Sequence, residues 1–188
     1  MLPASQLVAK CLENNAAAQK QLYDAFAPQM MGVCYRYTRS MEEASDVLQE
    51  GFVRVFRNLR QWNGEGELGA WIRRIMVNTA LNWIRDHRKI KWVEEEHIPE
   101  HDPTQPVSTP LDSLQARQLA DLIRQLPAGY QTVFNLHAAE GYTHVEIAQM
   151  LGISEGTSRS QYLRARRMLA ELINTHHQEN KISYAGRK

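Results

Sequence analysis

An acidic, proline-rich segment at residues 93–116 interrupts a chain whose apolar residues otherwise follow helical spacing. It contains six Asp and Glu side chains, four prolines and no Lys or Arg. Proline lacks a backbone N–H and disfavours helix in the residue before it, so closely spaced prolines keep a segment extended. The sequence therefore predicts two domains, at residues 1–92 and 113–174, joined by a linker at 93–112 and followed by a flexible tail at 175–188.

Apolar residues before the linker recur at the i, i+3, i+4 and i+7 positions of amphipathic helices. The clearest helix begins at Ser40 and Glu43, which form a capping-box pair. A break is expected at Pro28, and a later helix ends in a basic run at 85–91. No period-2 run flanked by turn signals occurs, so the predicted fold class is all-α, with two small helical domains.

The second domain has the spacing of a helix-turn-helix. Thr143 and Glu146 form a capping box for a short helix, Gly152 supplies a turn, and Ser154 caps a longer helix expected to end near Ile173. Polar residues near the start of that helix are expected to point outward, where such residues read base edges in the major groove. An ordinary amphipathic helix with a solvated basic face is the alternative, but the two caps and the glycine turn favour DNA binding.

Composition limits the remaining classes of function. The net charge of +1 argues against strong nonspecific binding to nucleic acid, although residues 1–92 carry +4 (13 basic, 9 acidic) and residues 117–188 carry +3 (9 basic, 6 acidic). No apolar stretch approaches the roughly 20 residues that span a bilayer, and no signal peptide is visible. We expect a cytoplasmic protein without membrane insertion.

Two strings in the sequence match enzyme motifs, but the predicted secondary structure around each string does not fit the motif. The G-x-G-x-x-G string at 64–69 follows a helical pattern rather than a strand, which a dinucleotide site requires. His97 and His101 match an inverted zinc-protease pattern, but Pro99 between them disfavours the helix that this chemistry needs. Cys11 and Cys34 are too far apart for a CxxC site. We predict no metal, no cofactor and no catalytic activity.

Several motifs in register resemble the extracytoplasmic-function group of bacterial sigma factors, the promoter-specificity subunits of RNA polymerase. Residues 46–52 (DVLQEGF) resemble the group's D-x-x-Q-E-x-F core-binding motif, and residues 70–75 (AWIRRI) with Asn78 resemble its promoter-melting helix. Pieces between Leu126 and Arg166 resemble its second DNA-binding domain. The sequence departs from the group's pattern at Gly51, where alanine or valine is expected, at Ser158, where valine is usual, and at Gln161, where arginine is common.

The resemblance implies three sets of functional residues and the partners of each. The implied polymerase-binding residues, which would contact a coiled coil on the largest subunit, are Asp46, Leu48, Gln49, Glu50 and Phe52. The implied minus-ten DNA residues, which would open the promoter, are Trp62, Asn63, Gly64, Trp71, Arg73, Arg74, Asn78, Arg85 and Arg88. The implied minus-thirty-five DNA residues are Gly156, Thr157, Arg159, Ser160, Gln161, Leu163, Arg164 and Arg167. Core RNA polymerase (its clamp helices and flap region), promoter DNA and an anti-sigma factor are the implied partners.

Two alternatives remain open at this point. A self-sufficient helix-turn-helix repressor or activator would bind its operator without polymerase. An enzyme using the His97/His101 or glycine-loop strings would need a bound metal or nucleotide.

Overall fold

The computed structural model describes residues 3–88, 90, 92 and 116–185, with side chains of the last helix described as far as His176. These residues form helices and turns without a strand, which confirms the all-α prediction. The chain divides into two compact units, unit 1 (Met1–Arg88) and unit 2 (Lys89–Lys188). The predicted linker at 93–112 and the strings at His97 and His101 lie outside the described residues.

Unit 1 is built from four helices. They are α1 (Ala4–Leu12), α2 (Ala16–Tyr37), α3 (Met41–Asn58), which continues into a 3-10 turn (Leu59–Gln61), and α4 (Leu68–His87). Their apolar faces meet in a core whose largest fully buried side chains are Leu22, Met30, Tyr37, Leu59, Ile72 and Met76. Burial raises the pKa of the Cys34 thiol to about 12, so this cysteine stays protonated as a packing residue.

The expected break at Pro28 is wrong, because α2 runs through this proline to Tyr37. Proline inside a helix removes one backbone hydrogen bond. The flanking side chains Leu22, Met30 and Val33 are at most 1% exposed. Their burial outweighs the local cost, which single-residue propensity does not register.

The capping pair at the start of α3 forms in a modified way. The Ser40 side chain accepts a hydrogen bond from the Glu43 backbone N–H at 3.1 Å. The Glu43 carboxylate instead accepts from the Arg39 backbone N–H at 2.8 Å, and it pairs with the Arg88 guanidinium at 3.2 Å. The beginning of α3 is thereby tied to the residue that follows α4.

Gly51 provides space for the side chain of Met76 where α3 meets α4. A Cβ atom at Gly51 would lie 2.3 Å from the Met76 sulfur and 3.0 Å from its terminal methyl carbon. Met76 is fully buried, so the end of its flexible side chain must shift within a packed core to make room. Where the sigma-factor group typically has alanine or valine, this chain has glycine, and the Met76 side chain of the neighbouring helix occupies the space.

We expect Gly51→Ala to destabilise unit 1 by about 1 kcal/mol, since overpacking costs about 1–3 kcal/mol and the helix gains only about 0.5–1 kcal/mol from alanine. In a Met76→Ala background the clash is gone, and Gly51→Ala should become stabilising. Urea unfolding of the four variants of this cycle measures both values. Gly32→Ala on α2 is the matched control, because a Cβ there meets nothing within 4 Å, and it should stabilise the protein. If Gly51→Ala also stabilised the wild type, the contact between Gly51 and Met76 would contribute nothing to stability.

The described residues of unit 2 form four helices, two of which make the predicted helix-turn-helix. They are α5 (Ala116–Arg124), α6 (Ala128–Phe134) with a π-helical turn (Asn135–Ala139), α7 (His144–Leu151) and α8 (Glu155–Ala185). The Thr143–Glu146 capping box is complete, Gly152 adopts φ +67°, and the Ser154 side chain accepts from the Thr157 N–H at 2.9 Å. These three features confirm the local signals that predicted α7, the turn and the start of α8.

The core of unit 2 lies between α5, α6 and α8. Its buried residues are Leu122, Ile123, Leu126, Phe134, Ala165, Leu169 and Ile173. The expected helix end near Ile173 is wrong, since α8 continues to Ala185 across most of the segment predicted as a flexible tail. The helix was expected to end where its apolar stripe stops, at Ile173, but the helical backbone continues beyond that residue.

Candidate nucleic-acid and protein interfaces

The α3 residues expected to bind polymerase include an exposed polar group. Asp46, Gln49 and Glu50 are all exposed, and their spacing of three and four residues places them on one face of the helix. Glu50 is held by Arg54 on the same helix, whose Nε donates to its Oε1 at 3.1 Å. This surface, the α3 face, presents two carboxylates and one amide to a partner.

The apolar half of the expected polymerase set does not lie on this face. Leu48 and Phe52 are each 3% exposed and belong to the core of unit 1, where the Phe52 ring lies 4.6 Å from that of Tyr23. In this structure they support the helix from beneath, and their direct contact with a partner stays a prediction. Val53, which is 47% exposed, is the apolar side chain on the α3 face. Sequence reasoning missed this residue, although its position four residues after Gln49 places it on the same face of the helix.

Four of the expected minus-ten residues form a continuous surface on α4, the α4 face. Trp71, Arg74, Asn78 and Arg85 recur at helical spacing on one side; Arg74, Asn78 and Arg85 are exposed and Trp71 is half-buried. The Arg85 guanidinium donates to Asn82 one turn earlier. An indole beside an amide and two guanidinium groups can stack on a base and pair with phosphates.

The loop before α4 lies next to this surface in sequence and has an unusual backbone. Gly64 and Gly66 adopt φ values of +84° and +72°, which side-chain-bearing residues rarely adopt. The exposed Asn63 holds the turn by accepting from the Glu65 N–H at 3.0 Å. Trp62 is half-buried, and its indole N–H is buried without a hydrogen-bond partner among the described residues.

Two arginines expected to follow DNA phosphates do not lie on the α4 face. The Arg88 side chain is 7% exposed and pairs with Glu43, so its role in this structure is to connect α3 with the end of α4. Arg73 is half-buried, and its spacing from Trp71 places it on the opposite side of the helix. The local sequence does not indicate this pairing of Arg88, because its partner Glu43 comes from a distant helix.

The second helix of the helix-turn-helix presents a basic outer surface, the α8 face. Arg159, Leu163 and Arg167 are exposed and recur every four residues, while Gly156 and Arg164 are half-buried. The Arg159 Nε donates to Glu155 at 3.2 Å in an exposed ion pair, which DNA can replace at little cost.

Three expected minus-thirty-five residues are buried. Thr157, Ser160 and Gln161 are 5%, 8% and 1% exposed, which corrects the expectation that Ser160 and Gln161 point outward. The Ser160 hydroxyl donates back to the Thr157 carbonyl at 3.0 Å, and the Gln161 amide nitrogen is buried without a partner among the described residues. In this conformation none of the three is accessible to a base.

Gln161 lies close to Gly129 of α6, and so do two residues of the segment after α4. A Cβ on Gly129 would lie 3.1 Å from Gln161 Oε1 and 3.4 Å from side-chain carbons of Ile90 and Trp92. All these residues belong to unit 2. Sequence reasoning missed Ile90 and Trp92, because nothing in their local pattern indicates packing against residues so distant in the chain.

Within the described residues, no three His, Cys, Asp or Glu side chains are grouped so that they could hold a metal ion. The same part of the chain contains no helix that is both long and apolar enough to cross a membrane.

Comparison with known proteins assigns each unit to a family. Residues 22–90 match the family described as Sigma-70 region 2, and residues 116–169 match Sigma-70, region 4. The chain is 28% identical over 177 residues to the ECF RNA polymerase sigma-E factor of Haemophilus influenzae, covering 89% of this chain and 93% of that protein. It is 27% identical over 179 residues to the RNA polymerase sigma-H factor of Pseudomonas aeruginosa, covering 89% and 92%.

A solved structure shares the fold. It is the sigma factor RpoE of Bartonella quintana in complex with the anti-sigma factor NepR, with a TM-score of 0.51 and 20% identity, covering 82% of this chain and 96% of that chain.

Proposed function

Because this chain belongs to the extracytoplasmic-function group of RNA polymerase sigma factors, which direct the polymerase to promoters, we propose that its two units divide the task. Unit 1 binds core polymerase through the α3 face, and it recognises and opens the minus-ten element with the α4 face and the loop before it. Unit 2 binds the minus-thirty-five element through the α8 face.

The main support for this proposal is that the two family matches coincide with the two structural units. The region 2 match covers α2 to α4, and the region 4 match covers α5 to the middle of α8. The exposed polar surfaces described above lie on α3, α4 and α8. Each of the two family regions therefore has its own accessible surface for a partner.

Strand opening needs a place for an unstacked base. The half-buried indole of Trp71 and the exposed amide of Asn78 lie on the same side of α4, and the loop with Asn63 and Gly64 precedes this helix. Base stacking on an aromatic side chain contributes about 1–3 kcal/mol, which is comparable with the cost of unstacking one base. Arg74 and Arg85 would pair with the phosphates of the separated strand.

The protein acts in the cytoplasm in this proposal, since its substrate is the chromosome and its partner is the polymerase. It supplies specificity and strand opening but no catalytic step. By resemblance to the group, we include an anti-sigma factor among its partners.

We expect the free protein to bind promoter DNA weakly at physiological salt and core polymerase to supply the missing affinity. The unit charges are small, affinity for DNA depends strongly on the number of phosphates neutralised, and Gln161 is buried. The test is in-vitro transcription with core polymerase on a genomic promoter library, with gel-shift assays of the free protein alongside. Tight, sequence-specific binding by the free protein would instead favour the self-sufficient repressor.

A further inference from the structure

Two histidine rings stack between the helices of the helix-turn-helix. His137 lies in the π-helical turn after α6, and His144 is the first residue of α7. Their ring centroids are 4.3 Å apart with planes 19° from parallel. The Tyr162 ring of α8 meets His137 edge-on at 4.5 Å and lies 5.7 Å from His144. Three elements of unit 2 therefore meet at this histidine pair.

Hydrogen bonds fix both rings. His137 Nδ1 lies 2.8 Å from the Tyr142 carbonyl oxygen, and since a carbonyl only accepts, this nitrogen carries a proton. His144 Nδ1 lies 2.9 Å from the hydroxyl oxygen of Ser158, a fully buried residue in the first turn of α8. His144 thus joins the start of α7 to the start of the helix that presents the α8 face. This contact uses Ser158, one of the positions at which the chain departs from its group.

Charges around the pair oppose its protonation. The pKa of His144 lies below its ordinary value of 6.5, first because burial penalises the charged ring and then because His137 and Arg159 are close, while Glu155 partly offsets these effects. The Arg166 guanidinium lies 5.8 Å from the Tyr162 ring centroid and adds further positive charge to this cluster. Stacked rings that both carried a proton would repel each other directly.

The sign of the pH effect follows from the lowered pKa. A histidine whose pKa is lower in the folded state binds fewer protons there than in the unfolded chain. The stability that neutral His144 confers is therefore complete above about pH 6.5 and is lost as the pH falls through that value towards the folded pKa.

We propose that the histidine pair makes promoter recognition acid-sensitive: when His144 gains a proton, the contact between α7 and the first turns of α8 loosens and binding of the minus-thirty-five element weakens. Ser158 and the neighbouring Arg159 lie where that contact ends, so loosening changes the placement of the α8 face itself. The consequence for DNA rests on the proposed function of unit 2, whereas the loosening does not.

The first test is hydrogen–deuterium exchange of the free full-length protein at pH 7.5 and pH 5.5, corrected for intrinsic exchange rates. We expect amides of residues 157–161 to lose protection by about threefold or more in acid, with unit 1 unchanged. Nuclear magnetic resonance titration of the histidine rings in the wild type gives a result that needs no variant. Unchanged protection, or a His144 midpoint at or above 6.5, would overturn the proposal.

Two variants separate the titrating ring from its stacking partner. His137→Phe keeps an aromatic ring in the stack and leaves His144 to titrate. His144→Asn keeps a hydrogen-bonding group near Ser158 but removes the ring. His144→Asn, if folded, should lose the pH response, whereas His137→Phe should keep it because His144 still titrates there. His87→Asn is the matched control, because His87 is exposed and stacks on Trp83 in unit 1. A folded His144→Asn protein with the wild-type pH response would refute the proposal.

The second test measures holoenzyme binding at pH 7.5 and pH 6.0 to a promoter selected from the library and to the same promoter with its upstream element randomised. We expect acid to reduce the preference for the intact element about threefold in the wild type and not in His144→Asn. Stronger preference in acid, as would arise if a protonated ring attracted phosphate, would overturn the proposal.

Arg164→Ala at pH 7.5 tests the proposed function separately. If this variant has no effect on recognition of the upstream element, unit 2 does not read that element. The exchange data still decide whether the histidine pair responds to acid.

Discussion

Replacing Asp46, Gln49 and Glu50 together with alanine is expected to abolish measurable binding to core polymerase. These side chains form the exposed polar part of the α3 face, and hydrogen bonds that involve a charged group contribute about 1.5–3 kcal/mol each. Loss of even about 3 kcal/mol lowers affinity about 100-fold. Alanine favours helix, so unit 1 should remain folded. Competition for core polymerase against a labelled wild-type chain measures the effect.

The matched control for this triple variant is Glu13→Ala with Asp24→Ala. It also removes two negative charges from unit 1, at exposed positions on and next to other helices. It should bind polymerase like the wild type. Equal loss in both variants would mean that bulk charge attracts the polymerase, and that the α3 face is not its specific contact.

The second large effect separates the two DNA surfaces. Arg164→Ala should weaken recognition of the upstream element by about 1–3 kcal/mol if this arginine reads a base. Asn78→Ala should instead change which base is preferred in the minus-ten element and slow strand opening. Transcription from a promoter library, scored separately at the two elements, measures both.

Arg117→Ala on α5 is the control for Arg164→Ala, because it removes one exposed positive charge from the same unit. It should leave both elements unaffected. A downstream shift caused by Arg164→Ala, or an upstream shift caused by Asn78→Ala, would show that the two surfaces have been assigned to the wrong elements even though the family is right.

Features that depend on a few neighbouring residues could be predicted from the sequence. The Thr143–Glu146 capping box, the Gly152 turn and the Ser154 cap each require only local chemistry, and together they placed the helix-turn-helix. The exposed residues Asp46 and Arg159 followed from helical periodicity, and Asn78 followed from the resemblance to the sigma-factor group. The family itself followed from several such local patterns in register.

Features that depend on distant partners could not be predicted. Arg88 lies in a basic run, yet its side chain is buried because Glu43 reaches it from another helix. Gln161 and Ser160 occupy polar positions on a helix expected to face outward, but both are buried. The helix through Pro28 persists because of side chains packed around it. In each case tertiary packing overrides a correct local rule.

The fit between Gly51 and Met76 constrains how this protein can be recombined with its relatives. Chimeric sigma factors are made by exchanging segments, and α3 and α4 carry different proposed tasks, polymerase binding on one helix and promoter opening on the other. A graft of α3 bearing alanine at this position would collide with the resident methionine, and a graft of α4 with a shorter side chain would leave a cavity. We therefore expect exchange of either helix alone to cost about 1 kcal/mol more stability than exchange of both, so that this contact favours inheriting polymerase specificity and minus-ten specificity together.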